Sequence, residues 1–445
     1  ETNKINSVCD ARKDVKNYGA CSEANGSVDL EGNKASCALK ENTIRNGRKG
    51  SNWAAYMNIV CVVAGSGTLG IPYAIQQGGW ISLILLILSA SMSRYTSIKL
   101  IDCLYCNGIR NKTSVSDIAY SAFGNIGLFV VGFFYNAISL GCPILYLVLS
   151  GDNLQTLFSN YGIDLGMQTW VCICACTMCI PFIFLKTMKE TAWLSIFGVA
   201  TTMFVVLVVF VMSIIDYPNN TNNPHDFVNY RNLPIALSTF FFSFGGNVVY
   251  PHIEDSMENP KAWSQVVSSA KFTITIMYFL IGIPAYLTYG RNTMSPIYFS
   301  LPPGFVVDVT MIMITIHVLL ALPVYQTAFS LELENHLGIN SSLRNESLEF
   351  ILRSILRLTI VIFTIYIAIT VPYFTNIMSL LGALGNGVLL MVMPMLVWIK
   401  LNGWNKLGCL AEKLWVIFIL IFALFGAIIG TWDALNALST EMNGN

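Results

Sequence analysis

Two stretches of the chain combine glycine, hydroxyl-bearing and proline residues within otherwise apolar sequence. Ala64 to Pro72 reads AGSGTLGIP, and Phe242 to Pro251 reads FSFGGNVVYP. Glycine lets a backbone leave the helical conformation at little steric cost, which frees N–H and C=O groups inside a helix. The N-terminus of a half-helix then attracts a carboxylate, and a C-terminus attracts an ammonium. A zwitterionic amino acid carries both charges.

These two stretches supply the predicted binding site. We expect backbone groups around Gly65–Thr68 to hold a carboxylate and carbonyls around Ser243–Gly245 to hold an ammonium. The alternative is that the glycines only permit close helix packing. Two interruptions in matching positions, about 180 residues apart, favour a site at the middle of a membrane. The candidate residues are Gly65, Ser66, Gly67, Thr68, Ser243, Phe244, Gly245 and Asn247.

Long apolar helices must position these residues. The chain has 445 residues, of which 54% are hydrophobic and 11% charged, whereas soluble domains carry roughly a quarter charged residues. Its apolar blocks of about 20 residues match the thickness of a bilayer core. Helices are the segments that can satisfy their own backbone there. We predict an all-α membrane protein with eleven spans, at about 52–77, 79–103, 126–150, 169–185, 192–215, 233–253, 265–289, 304–330, 350–371, 375–399 and 413–434.

The rest of the chain divides simply. Residues 1–50 are polar and charged and predict a disordered cytosolic tail. Residues 51–434 form the predicted transmembrane domain, and residues 435–445 a short exoplasmic tail. The net charge is zero, which gives no indication of nucleic-acid binding. Four cysteines between Cys172 and Cys179 fall around the axis of one helix, so we interpret them as small apolar residues and predict no metal site or cofactor.

Lysine and arginine predict the orientation. The connections on the N-terminal side hold nine of them, counting Lys413 at the first position of the last span, and the opposite loops hold only Arg231 and Arg291. The positive-inside rule therefore places the N-terminus in the cytosol. Asn219 would then begin an exoplasmic glycosylation sequon. The sequence leaves open whether the host is a vacuolar or other internal membrane or the plasma membrane.

Several motifs together resemble the amino acid/auxin permease family. The first is GSGTLGIPYA at Gly65–Ala74, followed by GGW at Gly78–Trp80. Others are FSFGG at Phe242–Gly246, PHIE at Pro251–Glu254 and PYF at Pro372–Phe374. The resemblance covers residues 52 to 400. It implies a LeuT-like five-plus-five inverted repeat with one added helix, and alternating access around a site between spans one, three, six and eight.

Two departures from the family pattern bear on ion coupling. Many relatives carry His where this chain has Asn247, and sodium-coupled relatives carry Thr where it has Ala321. The missing hydroxyl favours protons over sodium as the partner ion. His317 lies midway along span eight and can titrate near neutral pH. We take His317 and Glu254, at the cytosolic mouth of span six, as the coupling candidates.

The remaining intramembrane charges are expected near span ends, where long side chains reach the interface. They are Arg94, Lys99, Lys271, Arg353 and Asp308.

With no charge expected at the breaks, the sequence favours a substrate with a neutral side chain. We therefore predict a non-enzymatic secondary transporter of small neutral amino acids, driven by a proton gradient. A sodium-coupled transporter and a transporter-like amino acid sensor remain alternatives, whereas the charged rings of a channel and the paired side chains of an enzyme site are missing from the sequence.

Overall fold

The computed structural model describes residues 50–106, 109–184, 192–339 and 346–443. The predicted tail at residues 1–50 lies outside these ranges except for Gly50. The helices in chain order are α1 (Asn52–Val63), α2 (Ile71–Gly78), α3 (Ser82–Asp102), α4 (Val115–Ser159), α5 (Met167–Phe184), α6 (Ala192–Asp216), α7 (Leu233–Ser243), α8 (Tyr250–Ser256), α9 (Trp263–Tyr289), α10 (Phe305–His336), α11 (Glu346–Thr370), α12 (Phe374–Leu380), α13 (Met393–Asn402) and α14 (Leu410–Asn443). Strands β1 (Tyr105–Cys106) and β2 (Ile109–Arg110) form a two-stranded antiparallel sheet.

The helices confirm a multi-pass membrane protein. Within the described ranges, nine helical segments are long and apolar enough to cross a membrane, and a bent pair, α1 with residues 66–78, makes ten. Predicted span six is divided between α7 and α8, each too short to cross alone. The total of eleven and the inverted repeat therefore stay predictions. Large apolar side chains such as Phe129 and Phe272 lie on outer faces, where lipid would cover them.

Span one is interrupted where its glycines predict. Helix α1 ends at Val63, and residues Ser66–Gly70 form a turn of 3-10 helix before α2 begins. The two halves are bent by 46°. Pro72 falls in the first turn of α2, where a missing N–H costs no hydrogen bond.

Span six is interrupted in the same way. Helix α7 ends at Ser243, α8 begins at Tyr250, and Pro251 lies in the first turn of α8. Gly246 has φ 146°, a conformation that side chains with a Cβ rarely adopt. Both predicted breaks are thus present, and α7 lies in the centre of the bundle with Phe240 and Phe241 fully buried.

Two further irregularities shape the bundle. Gly124, at φ 61°, kinks α4 and separates Val115–Phe123 from the rest of the helix. In span ten, residues Leu381–Val392 form a π-helix of 12 residues between α12 and α13. No pattern in the sequence predicted this π-helix. The last helix continues through Asn443, so residues 435–443 of the predicted exoplasmic tail are helical.

Candidate functional site

The two breaks lie against each other. The hydroxyl of Ser243, at the end of α7, donates a hydrogen bond of 3.0 Å to the carbonyl oxygen of Gly67. A Cβ added to Gly67 would lie 2.8 Å from Cα of Ser243, closer than real Cβ atoms approach backbone. Glycine is therefore required at this position for the two backbones to meet. The folded chain brings together residues that are separated by 176 positions in sequence.

A cavity opens beside this contact. Its empty space, counted out to its open mouth and including open solvent, is about 520 Å³. Among the predicted residues, Gly65, Ser66, Gly67 and Gly245 line it. Thr68, Ser243, Phe244 and Asn247 are buried and are not among its lining residues. The backbone of both breaks thus faces the cavity, whereas half of the predicted residues support it from within the protein.

Side chains from three other spans complete the cavity wall. Ile138, Cys142 and Tyr146 come from α4, Tyr325 from α10 and Asn386 from the π-helix. The rings of Tyr146 and Tyr325 meet edge to face, with centroids 5.8 Å apart. The cavity therefore lies between spans one, three, six and eight, as expected, and span ten also contributes a residue to its wall. None of the described residues that line this cavity carries a charged side chain.

Asn386 is the residue of span ten that reaches the second break. Its Nδ2 atom lies 3.4 Å from the carbonyl oxygen of Phe242. A Cβ added to Gly245 would lie 2.3 Å from the same nitrogen. A π-helix forms hydrogen bonds between residues five apart, whereas an α-helix forms them between residues four apart. Side chains in a π-helix therefore point in directions that differ from those of a regular α-helix. The periodicity of a regular α-helix therefore does not predict that Asn386 faces the cavity.

The carbonyls that were expected to receive an ammonium already accept hydrogen bonds from the protein. The Ser243 carbonyl accepts from the Tyr278 hydroxyl at 2.5 Å, and the same hydroxyl lies 3.2 Å from the Val63 carbonyl. The Phe244 carbonyl accepts from Nζ of Lys271 at 2.9 Å. Tyr278 therefore joins the C-terminal ends of α1 and α7, the first halves of both broken spans.

Lys271 corrects one expectation. Its position in α9 suggested a side chain that reaches the membrane interface, yet it is only 2% exposed and points to the second break. The expectation that the breaks carry no charge is therefore wrong. Position along a span predicts how deep a residue lies, but it does not predict which way the side chain faces.

A second cavity adjoins the first on the side of span eight. The two share Val62, Gly65, Tyr146 and Tyr325, and His317, Ala321, Cys61 and Ser195 are among the residues that line only the second. His317 is 8% exposed. A Cβ added to Gly65 would lie 3.9 Å from Nε2 of His317, so the imidazole lies directly beside the first break. His317, one of the two coupling candidates, is thus near the predicted site.

Glu254 lies elsewhere, at the far end of α8. It is fully buried and forms an ion pair of 3.0 Å with Nε of Arg110, while the Tyr105 hydroxyl donates to its other oxygen. Arg110 also pairs with Asp255 at 3.0 Å and donates to the Pro251 carbonyl. Strands β1 and β2 position Tyr105 and Arg110 opposite each other. This cluster ties the β1–β2 hairpin to the second half of span six.

Sequence comparison decides the family. Residues 48–436 match the profile of a family described as "Transmembrane amino acid transporter protein". The match covers most of the chain. The protein is a member of this transmembrane amino acid transporter family. Membership confirms the resemblance seen in the motifs and the prediction that the chain is not an enzyme.

Three named transporters align over most of the chain. Amino acid transporter AVT1I of Arabidopsis thaliana is 28% identical over 85% of this chain and 93% of its own length. Amino acid transporter AVT1H of the same plant is 26% identical over 95% and 98%. The vesicular GABA transporter of Caenorhabditis elegans is 25% identical over 79% and 74%.

A solved structure is similar in fold. The substrate-bound, outward-open state of a Na⁺-coupled sialic acid symporter superimposes with a TM-score of 0.53, covering 88% of this chain and 91% of the symporter. The two sequences are only 12% identical. This family member therefore shares its fold with a secondary transporter, and the likeness carries no information on its substrate or ion.

Proposed function

We propose that the protein is a secondary active transporter that moves small neutral amino acids across a membrane by alternating access. The observation that carries the proposal is the cavity between the two broken spans, lined by Gly65–Gly67 and Gly245 and by no charged side chain among the described residues. Backbone groups freed at membrane depth need polar partners. The carboxylate and the ammonium of a zwitterion are such partners. A cavity wall without charged side chains suits a substrate with a neutral side chain. The relatives named above are amino acid transporters, which supports an amino acid as the substrate.

The substrate carboxylate is assigned to the first break. Residues 66–78 form the second half of span one, and their N-terminal end lies at the cavity. The partial positive charge of a helix N-terminus favours an anion there. Gly65 and Gly67 leave room for the carboxylate to approach the backbone. Ser66 and Thr68 belong to the same turn, in which the Thr68 N–H donates to the Gly65 carbonyl at 3.1 Å.

The ammonium is assigned to the side of the second break that faces Asn386. The Ser243 and Phe244 carbonyls are engaged by Tyr278 and Lys271. An incoming ammonium needs acceptors, and the amide oxygen of Asn386 and the backbone around Gly245 lie on the cavity wall. Asn247 supports this wall, because its amide donates to the Leu390 carbonyl at 3.2 Å and accepts from the Ser97 hydroxyl at 3.1 Å.

The proton gradient is proposed as the driving force. His317 lines the second cavity beside the first break, and Ala321 in the same wall has no hydroxyl to offer a sodium ion. Glu254 is the other coupling candidate, and its pairing with Arg110 makes it the less accessible of the two. The proposed orientation has the N-terminus in the cytosol, and the host is an internal or plasma membrane.

Uptake of labelled amino acids into proteoliposomes tests the function. A panel of small neutral, acidic and basic amino acids is offered with and without an imposed pH gradient. Accumulation of neutral members only, and only with the gradient, is the expected result. Accumulation that needs a sodium gradient would support sodium coupling instead. Binding without uptake or counterflow would identify a transporter-like sensor.

A further inference from the structure

Lys271 places an ammonium at the broken end of span six. Its Nζ lies 2.9 Å from the carbonyl oxygen of Phe244, the first residue after α7. The carbonyl end of a helix carries a partial negative charge, which a cation stabilises. The side chain is 2% exposed. The position that the sequence assigned to a substrate ammonium is therefore filled by an ammonium of the protein itself.

The surroundings of Lys271 are mostly aromatic and uncharged. Its Nζ lies 5.5 Å from the centroid of the Phe244 ring and 5.6 Å from that of Tyr250, both within the distance of a cation–π contact. The Ser93 hydroxyl, from α3, shares the Phe244 carbonyl at 3.4 Å. No carboxylate in the described ranges forms an ion pair or hydrogen bond with Lys271.

The titratable groups near Lys271 are few. The Tyr250 ring faces it from α8, and the Tyr278 hydroxyl, on its own helix, binds the neighbouring Ser243 carbonyl. A phenol carries no charge near neutral pH. Arg94, on α3, donates to Ser268 at 2.6 Å and so lies about one turn from Lys271 along α9. Arginine stays protonated in proteins. Lysine, unlike arginine, can give up its proton when it is buried, so Lys271 is the described charged group of this neighbourhood whose charge can change.

An ionisable residue at membrane depth is costly and marks function by default. We propose that Lys271 is a tethered cation that holds the span-six break, and that protons act on the transport cycle through it. When it is protonated, the ammonium holds the Phe244 carbonyl. When it releases its proton to water on one side of the membrane, the break loses its countercharge and rearranges, and a proton from the other side restores it. The inference depends on the proposed transport function and adds a second proton-binding residue to it.

Two substitutions of similar length separate charge from proton exchange. Lys271→Arg keeps a cation that does not give up its proton, and Lys271→Met removes the cation. Lys99→Met is the matched control, since Lys99 also lies in a membrane helix, 4.3 Å from the centroid of the Trp398 ring, and pairs with Glu412 rather than with a break. Each variant is reconstituted in proteoliposomes, and accumulation driven by a pH gradient and counterflow without one are measured.

The expected result is that Lys271→Arg keeps counterflow but accumulates substrate only to the equilibrium level, that Lys271→Met loses both, and that Lys99→Met keeps both. Wild-type accumulation by either Lys271 variant overturns the proposal.

A second readout does not need transport: the difference in melting temperature between wild type and Lys271→Met should change between mildly acidic and mildly alkaline buffer. A difference that stays constant with pH also overturns it. Absence of uptake by the wild type contradicts the proposed function, and the melting measurement then decides on Lys271 alone.

Discussion

The hydroxyl of Ser243 and the carbonyl oxygen of Gly67 form a 3.0 Å hydrogen bond that joins the two broken spans. Because the contact links the end of α7 to the middle of span one, neither break can shift without affecting the other. The Tyr278 hydroxyl reinforces the link by reaching the carbonyls of Val63 and Ser243. The site is therefore one unit made from two distant stretches of sequence.

Gly67→Val is expected to reduce uptake to background while the protein still reaches the membrane. The added Cβ would lie 2.8 Å from Cα of Ser243 and force the breaks apart. Uptake per amount of membrane-inserted protein is the measurement. Gly304→Val is the control, since no heavy atom lies within 4 Å of a Cβ added there. Normal uptake by Gly67→Val would contradict the assignment of the site.

The breaks were predictable because glycine and proline act locally. The glycines and the proline from Gly65 to Pro72, and those from Gly245 to Pro251, weaken a regular helix through their own backbone properties. The direction in which each supporting side chain points is not a local property. Lys271 illustrates this, since only the packing of α9 against the breaks turns its ammonium toward Phe244.

Asn386→Leu is expected to raise the KM for the substrate by roughly tenfold to a hundredfold, because a hydrogen bond to a charged group contributes about 1.5–3 kcal/mol. Leucine has a similar volume but no oxygen to accept from an ammonium. Initial rates over a range of substrate concentrations give the KM. Asn376→Leu is the control on the same span, where the amide binds Glu441 at 2.7 Å instead of lining the cavity. An unchanged KM in Asn386→Leu would remove Asn386 from the ammonium site.

Asn386 also shows why part of the site could not be predicted from the sequence. The π-helix of residues Leu381–Val392 changes which residues share a face. Its three glycines, at positions 382, 385 and 387, are explained equally well by close helix packing and by an irregular backbone. For Gly382 the close packing is real, since an added Cβ would lie 1.9 Å from the Ser238 carbonyl oxygen. The cavity contact of Asn386 arises only once α7 packs against that stretch.

Glu254→Gln is expected to lower the thermal stability, because breaking a buried ion pair costs about 3–5 kcal/mol when one charge is left behind. Arg110 keeps a bond to Asp255, so we expect the lower part of that range. Thermal unfolding in detergent, with Glu349→Gln as control, measures the loss. The Glu349–Arg353 pair lies within one helix turn at 3.3 Å, and because the Glu349 side chain is more exposed than that of Glu254, its loss should cost less. Equal losses in the two variants would show that the Arg110–Glu254 pair does not stabilise the hairpin against α8.

The coupling ion is expected to be the proton. Replacing sodium with choline should leave uptake intact, and a protonophore should abolish accumulation, because Ala321 offers no side-chain oxygen in the cavity that His317 lines. His317→Gln should weaken accumulation driven by a pH gradient more than it weakens counterflow, since glutamine keeps the hydrogen-bonding groups but cannot carry the proton. His225→Gln is the control: His225 lies outside the predicted spans and its Nε2 is 3.0 Å from the Tyr286 carbonyl oxygen. If sodium removal stops uptake and the protonophore has no effect, the proton assignment is wrong and His317 supports the wall of the cavity.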